Sequence, residues 1–325
     1  MTIEHARAHI LSKPWGVVDL CPWSNAAHNG DAIGEIWYER SAAATAATAA
    51  DSSLLLKLLF TNQPLSIQVH PDDAYAQSIG LPNGKTEAWY VLSAAAEAKI
   101  ALGLKQRITP KQLRQAIDDG SISNLVVWRA VAPGDVIFVP AGTIHAIGAG
   151  LVIAEIQQRS DATFRIFDHG RRRELHIDDA IAVADAGPAD IRVIPTRITD
   201  TRTLLTANAH FAFEKIDLAP NSAWCLEAEQ ETWFLVINGS ARLGSFEVAM
   251  GDAIFAQSDR VNIHAGRTGL VGLVAYTGGG PVPNLLRCLE QGDARDERQP
   301  QEAQLLPSLT RATTASKDGF MEIIQ

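Results

Sequence analysis

Gly134-Asp135-Val136-Ile137-Phe138-Val139-Pro140-Ala141-Gly142-Thr143-Ile144-His145-Ala146 reads as a strand, a tight proline/glycine turn and a second strand opening on a histidine. Val136 and Phe138 alternate with Ile137 and Val139, and Ala141-Gly142 reverses the chain just before His145. A histidine placed just past such a turn points into the mouth of a small β-barrel, where a metal or a substrate can sit. If it is a ligand, its companions must come from elsewhere in the chain.

They are found upstream. Leu65-Ser66-Ile67-Gln68-Val69-His70 alternates like a strand, so Gln68 and His70 share one face two residues apart. After the turn-rich stretch Gly80 to Gly84, the run Lys85-Thr86-Glu87-Ala88-Trp89-Tyr90-Val91-Leu92 predicts a second strand with Glu87 near its start. Two imidazoles (His70, His145), one carboxylate (Glu87) and one amide oxygen (Gln68) suit a borderline divalent cation, Zn²⁺ foremost, with a position left open for substrate. Taken singly, a buried histidine is more often a satisfied core group than a ligand. Convergence of several candidates on one barrel mouth argues for a metal.

Composition narrows the classes. The chain has 325 residues and a formal net charge of −9, with no broad basic stripe, which argues against a nucleic-acid partner. The densest basic run, Arg171-Arg172-Arg173, is expected to be a solvated loop. Cys21, Cys225 and Cys288 are three, far apart and without a CxxC, which fits a reducing cytoplasm rather than a disulfide framework. No signal peptide is expected at Met1-Thr2-Ile3-Glu4-His5, and no apolar run approaches a membrane span. A cytoplasmic location is the resulting expectation.

Comparison of the chain with itself reveals a repeat. Glu87-Ala88-Trp89-Tyr90-Val91-Leu92 recurs as Glu231-Thr232-Trp233-Phe234-Leu235-Val236, and Gly134-Asp135-Val136-Ile137-Phe138-Val139 as Gly251-Asp252-Ala253-Ile254-Phe255-Ala256. Both pairs keep their order, which predicts two copies of one barrel. Glu87 and Gly134 lie 47 residues apart, against 20 for Glu231 and Gly251, so the first copy carries 27 more. Within that excess, Thr109-Pro110 reads as an N-cap with proline at the first helical position. Leu113, Ala116 and Ile117 fall on one helical face, and Gly120 is a stop. A helical excursion near residues 104–128 is expected to lid or flank the site.

The second copy has Gln257-Ser258-Asp259-Arg260-Val261-Asn262 where the first has its proline, glycine and histidine, and neither His210 nor His264 stands in a ligand-like pattern. It is therefore expected to be metal-free, with a covering or dimerising role, so that a homodimer is among the assemblies anticipated. The expected organisation is a catalytic barrel over 1–185, a metal-free barrel over 186–280 and a tail over 281–325. The Ala/Thr run after Ser41 reads as a surface loop or frayed helix, and residues 290–303 as a solvated linker.

The spacing G-x5-P-x-G-x2-H resembles the second motif of the cupin superfamily. Beyond it, the chain resembles the class I mannose-6-phosphate isomerases of the short bacterial kind, from Lys13-Pro14-Trp15-Gly16 to about Tyr276. The resemblance is densest at Ser66–Asp73, Gly84–Tyr90, Val139–Ile147 and Glu155–Asp168, with Arg173-Glu174-Leu175-His176 beyond. It implies a mainly β fold of two cupin-type (jelly-roll) barrels in tandem with a small helical insertion and linker. It also implies one zinc per chain on His70, Glu87 and His145, with Gln68 a fourth ligand, Arg165 as the catalytic arginine and Lys85 at the substrate site. The implied reaction interconverts D-mannose 6-phosphate and D-fructose 6-phosphate through a cis-enediol or enediolate. The implied partner is thus a small sugar phosphate, with no nucleic acid and no membrane.

Residue chemistry is compatible with that reaction. The guanidinium of Arg165 suits developing negative charge, and on a strand it would share a face with Phe167, opposite Phe164 and Ile166. The base is open among Lys85, were its pKa depressed, a metal-bound water and Glu35. The phosphate holders are open among Lys85, Arg159 and Arg171 to Arg173. Beside a related sugar isomerase of altered substrate, two rivals of other kinds remain at this level. One is an Fe²⁺ cupin dioxygenase, against which the polar and cationic neighbours of the ligand set argue. The other is a cupin that binds a sugar phosphate without turnover.

Overall fold

A computed structural model describes residues 2–24, 30–41, 52–189 and 193–289. The Ala/Thr run from residue 42 and the stretch 290–303 lie outside them. Up to Leu289 the chain packs as one compact unit.

Two antiparallel sheets build the first barrel. The strands Arg7–Val17, Ile33–Glu39, Leu54–Thr61, Leu151–Gln158, Glu87–Ala94 and Val136–Val139 lie side by side in that order. Facing them is a five-stranded sheet ordered Phe164–Phe167, Ile67–Val69, His145–Ile147, Lys99–Leu104 and Val126–Ala130. Trp89, Val91, Ile137, Val139 and Ile153 from one sheet meet Ile100, Leu102 and Ile147 from the other to fill the interior.

The outward face of each sheet has its own partner. Leu54, Leu56, Leu58 and Phe60 turn out of the first barrel and pack with Phe211, Phe213, Trp233, Leu235 and Phe255 of the second. Alternation on a strand buried on both faces explains the near-continuous run Leu54-Leu55-Leu56-Lys57-Leu58-Leu59-Phe60. Behind the five-stranded sheet, Ile67, Val69, Phe164 and Ile166 pack against Leu113, Ala116 and Ile117 of the helix Pro110–Asp118. Thr109 caps that helix in a reciprocal capping box with Gln112, and Gly120 follows in the left-handed region at φ 75°. The helix flanks the sheet from behind and leaves the barrel mouth uncovered by its own residues.

The second barrel is built on a ten-stranded sheet whose interior holds Phe234, Val236, Ile254, Ile263 and Tyr276. Thr2–His5 belongs to this sheet, paired antiparallel with Ala253–Gln257. The strand Asp259–Thr277 stops just before Gly278, and Leu286–Cys288 then returns to pair with Ala223–Ala228. Behind that return, Glu214 accepts hydrogen bonds from Arg202 Nε at 2.9 Å and Arg202 Nη2 at 2.8 Å, and Arg202 Nη2 also donates to Val282 O.

The tandem repeat holds as architecture but not residue for residue. Gly134 N donates to Val91 O, whereas Gly251 N donates to Val236 O, one residue beyond the Leu235 that the sequence match aligns with Val91. A one-residue slip turns every side chain of a strand to the opposite face. Trp89 accordingly lies inside the first barrel, while Trp233 lies in the core shared between the barrels. Glu87 stands opposite Val139, and Thr232 opposite Ala256, so Thr232 and not Glu231 is the structural counterpart of Glu87.

Glu231 has a different task. Its carboxylate accepts from Ser52 Oγ at 2.8 Å, Ser53 N at 2.6 Å, Leu54 N at 3.0 Å and Trp233 Nε1 at 3.0 Å. It ties the first residues of Leu54–Thr61 to the second barrel. Glu231→Ala would leave several buried donors unpartnered, so urea unfolding should show roughly 2–4 kcal/mol less stability. An unaltered midpoint would show that the tether is energetically idle.

Candidate metal centre

Three strands deliver the ligand candidates to one place. His70 follows Ile67–Val69, Glu87 opens Glu87–Ala94, and His145 opens His145–Ile147 after the Pro140-Ala141-Gly142 turn. Gly142, at φ 85°, donates its N–H to His70 O at 2.8 Å and so joins the turn to the first histidine segment. All three side chains are buried, at 1%, 1% and 0% exposure. Among the described residues, these are the three His, Cys, Asp or Glu side chains whose ligand atoms cluster within 4.8 Å of one another.

Hydrogen bonds settle the tautomers. His70 Nδ1 lies 2.8 Å from Ala162 O and His145 Nδ1 lies 2.9 Å from Thr143 O. A carbonyl can only accept, so both Nδ1 atoms carry hydrogen and both Nε2 lone pairs face the cluster. Glu87 lies between them, with Oε2 3.5 Å from His70 Nε2 and Oε1 3.4 Å from His145 Nε2. Two donors held at about 2.0–2.1 Å by a tetrahedral zinc lie roughly 3.3–3.4 Å apart, close to the spacing between Glu87 and each histidine.

The protonation states agree. Burial, aided by the Lys85 charge, pushes His70 down to about 3, and burial also lowers His145. Burial alone would raise the Glu87 carboxyl, but Lys85 and the histidines hold it well below its usual range. At neutral pH the cluster is one carboxylate and two neutral imidazoles, the forms that bind metals.

Gln68 is beside them, its Nε2 3.3 Å from His145 Nε2 and its Oε1 accepting from Ser66 Oγ at 2.9 Å. It presents its NH2 to the cluster; exchange of the amide ends would present the oxygen. Lys85 Nζ donates to Glu87 Oε2 at 2.5 Å and to His70 Nε2 at 3.0 Å. Burial would depress its pKa, but the Glu87, Glu155 and Glu35 carboxylates outweigh it and raise it. In this setting Lys85 is a charged donor, contrary to the depressed pKa that a role as base requires.

A cavity of about 290 Å³ opens onto the cluster. Sequence reasoning missed a ladder of alternating charge along its wall. Lys13 Nζ lies 3.3 Å from Glu35, and Lys57 Nζ lies 3.4 Å from Glu155. Trp37 Nε1 donates to Glu35 at 2.6 Å and Trp89 Nε1 to Glu155 at 2.9 Å. A signal for it exists in the chain, since Lys57 is the single charge in an eight-residue buried strand. Burial and Glu87 raise the Glu155 pKa, whereas Lys57 and Lys13 overcome burial to lower that of Glu35.

Arg165 faces the same cavity and donates from Nη1 to Glu174 O at 2.7 Å. Burial, and then the nearby Arg173, lowers its pKa. Phe167 does not share its face: a bulge between Arg165 and Phe167 returns Phe167 to the apolar cluster of Phe164 and Ile166. Arg159 pairs at 3.9 Å with Glu39 and does not line the cavity. Of the arginine triplet only Arg172 is exposed; Arg171 and Arg173 are half-buried on Asp168, because that carboxylate lies beneath the loop.

The histidine shift sets an acid limit. A base whose folded pKa is depressed adds stability above its unfolded pKa, which is lost as pH falls. Between about pH 6.5 and about 3, His70 should thus contribute a slope of up to about 1.4 kcal/mol per pH unit in protein stripped of divalent ions. Urea titrations across that window should show a flatter slope for His70→Gln. Equal slopes would contradict the neutral buried imidazole.

No family model matches the chain. It is 45% identical over 140 residues to the mannose-6-phosphate isomerase of Streptococcus mutans, covering 41% of this chain and 44% of that protein. To mannose-6-phosphate isomerase ManA of Bacillus subtilis it is 36% identical over 208 residues, covering 60% and 64%. The chain thus spans less than two thirds of the length of the curated relatives it matches. The crystal structure of the mannose 6-phosphate isomerase from Bacillus subtilis superposes with a TM-score of 0.74 at 24% identity, over 85% of this chain and 100% of that one. A variant of the phosphomannose isomerase from Salmonella typhimurium gives 0.68 at 16% identity, over 86% and 100%. The chain is thus similar in sequence to mannose-6-phosphate isomerases over part of their length and shares the fold of their solved structures.

Proposed function

We propose that this protein is a zinc-dependent aldose–ketose isomerase that interconverts D-mannose 6-phosphate and D-fructose 6-phosphate through a cis-enediol(ate). The observation that carries the reading is the buried His70–Glu87–His145 cluster at the floor of a cavity walled by charge. Such a lining suits an anionic, hydroxyl-rich substrate better than the apolar substrate of an oxygenase.

His70, Glu87 and His145 are the ligands in this reading, with Gln68 a fourth once its amide oxygen turns inward. The ion, when bound, polarises oxygens of the open-chain sugar. Lys85 donates a charged hydrogen bond to a substrate oxygen, and Arg165 stabilises the negative charge that develops as the C–H proton leaves. Glu155, whose pKa is raised, is better matched than Glu35 to take that proton between C2 and C1. The wall of Trp15 and paired charges keeps the sugar in one orientation while the proton moves.

A coupled assay for fructose 6-phosphate formed from mannose 6-phosphate tests this directly. Activity should vanish with chelator and return with Zn²⁺. His145→Ala should lose the metal, whereas Arg165→Ala should keep it and lose roughly 10²–10³ in kcat. A zinc-loaded protein that binds the sugar phosphate and never turns it over would remove the isomerase. Full turnover by Arg165→Ala would remove that residue from the chemistry.

A further inference from the structure

The outer wall of the cavity carries a charge imbalance that the metal centre does not use. Asp168 is buried, and its carboxylate accepts from Arg173 Nε at 2.7 Å and from Arg171 Nε at 3.0 Å. Arg171 and Arg173 share this one buried carboxylate, and the guanidinium of Arg165 stands near them, in a protein whose net charge is −9. Of the other acids of this stretch, both exposed, Asp161 lines the cavity and Glu174 does not. Arg173 and Arg165 line the cavity; Arg171 is turned away by its bond to Pro64 O at 2.8 Å.

Arg173 is fixed on two sides. Asp168 grips its Nε and Nη2 edge, and its guanidinium carbon lies 4.9 Å from the ring centre of Trp15, which also lines the cavity. A guanidinium stacked on an aromatic face and clamped along one edge has little rotamer freedom left to lose on binding a ligand. Two buried N–H donors on the same wall, Arg165 Nε and Trp15 Nε1, have no hydrogen-bond partner. Excess positive charge, a preorganised fork and unpartnered donors together describe an anion site.

We propose that Arg173, presented by Asp168 against Trp15, binds the phosphate end of the sugar phosphate. This rests on the isomerase reading and selects among the cations along the chain. Arg173 is the binding residue. Asp168 is a positioning residue, acting through Arg173. The sugar then spans the cavity, its phosphate at this wall and its C1–C2 end at the metal cluster.

Steady-state kinetics on the full-length, zinc-loaded protein decide it. Arg173→Gln should raise KM for mannose 6-phosphate roughly 10- to 100-fold and weaken inhibition by inorganic phosphate equally, with kcat and bound zinc unchanged. Arg173→Lys should recover only part of the loss, because an ammonium lacks the fork. Asp168→Asn should raise KM less than Arg173→Gln and also spare kcat. A KM and phosphate inhibition indifferent to Arg173→Gln, or a loss confined to kcat, would overturn the assignment. If Arg173→Gln does not fold, Arg173→Lys decides by the same change in KM. Calorimetry on the unaltered protein separates this claim from the reaction. Tight binding of mannose 6-phosphate and weak binding of mannose, without turnover, would refute the isomerase and support the phosphate site. Turnover with KM indifferent to Arg173 would do the reverse.

Discussion

An ionised carboxylate at the centre of a barrel is costly, and Glu87 is almost entirely shielded from water. What makes it tolerable is the ring of groups around it: Lys85 at 2.5 Å and the two imidazoles at 3.4 and 3.5 Å. Each of those groups is held by something further out. The histidines are turned by carbonyls of Ala162 and Thr143, and Lys85 N is tied to Pro71 O. Loss of any one would leave a buried charge or a buried lone pair unmatched. The centre is thus a constraint on four chain segments at once.

The charge ladder extends the same logic across the wall. Lys13, Glu35, Lys57 and Glu155 come from four adjacent strands, and each is paired or hydrogen-bonded. A buried ionic wall of this kind contributes little net stability compared with apolar packing. The place of Lys57 among the leucines of Leu54–Thr61 points to use rather than to stability. The second barrel offsets this cost with Trp233, Phe211, Phe213 and Phe255, which pack against the first barrel's outward face.

Local signals in the chain are legible and long-range ones are not. The turn before His145, the N-cap at Thr109 with its proline, and the helical face of Leu113, Ala116 and Ile117 depend on neighbours a few residues away, and the structure has them as read. Facing is different, because it is set by pairing between distant strands. Matching tryptophans suggest that Trp89 and Trp233 are counterparts, yet register puts one inside a barrel and the other between barrels. The bulge that moves Phe167 off the face of Arg165 leaves no mark in a four-residue strand. Lys57 is visible as an oddity, but its partner Glu155 cannot be known without the pairing of Leu54–Thr61 with Leu151–Gln158.

The pairing of Thr2–His5 with Ala253–Gln257 joins segments some 250 residues apart. Antiparallel strands that distant close slowly, since a long loop must be ordered first. On the ribosome, the first barrel can assemble its own sheets while Thr2–His5 waits for a partner still to be synthesised. Until that strand docks, the second barrel presents Ala253–Gln257 as an open edge, the kind of surface on which chains stick to one another. Residues well removed from the chemistry therefore bear on how much of the newly made protein escapes aggregation.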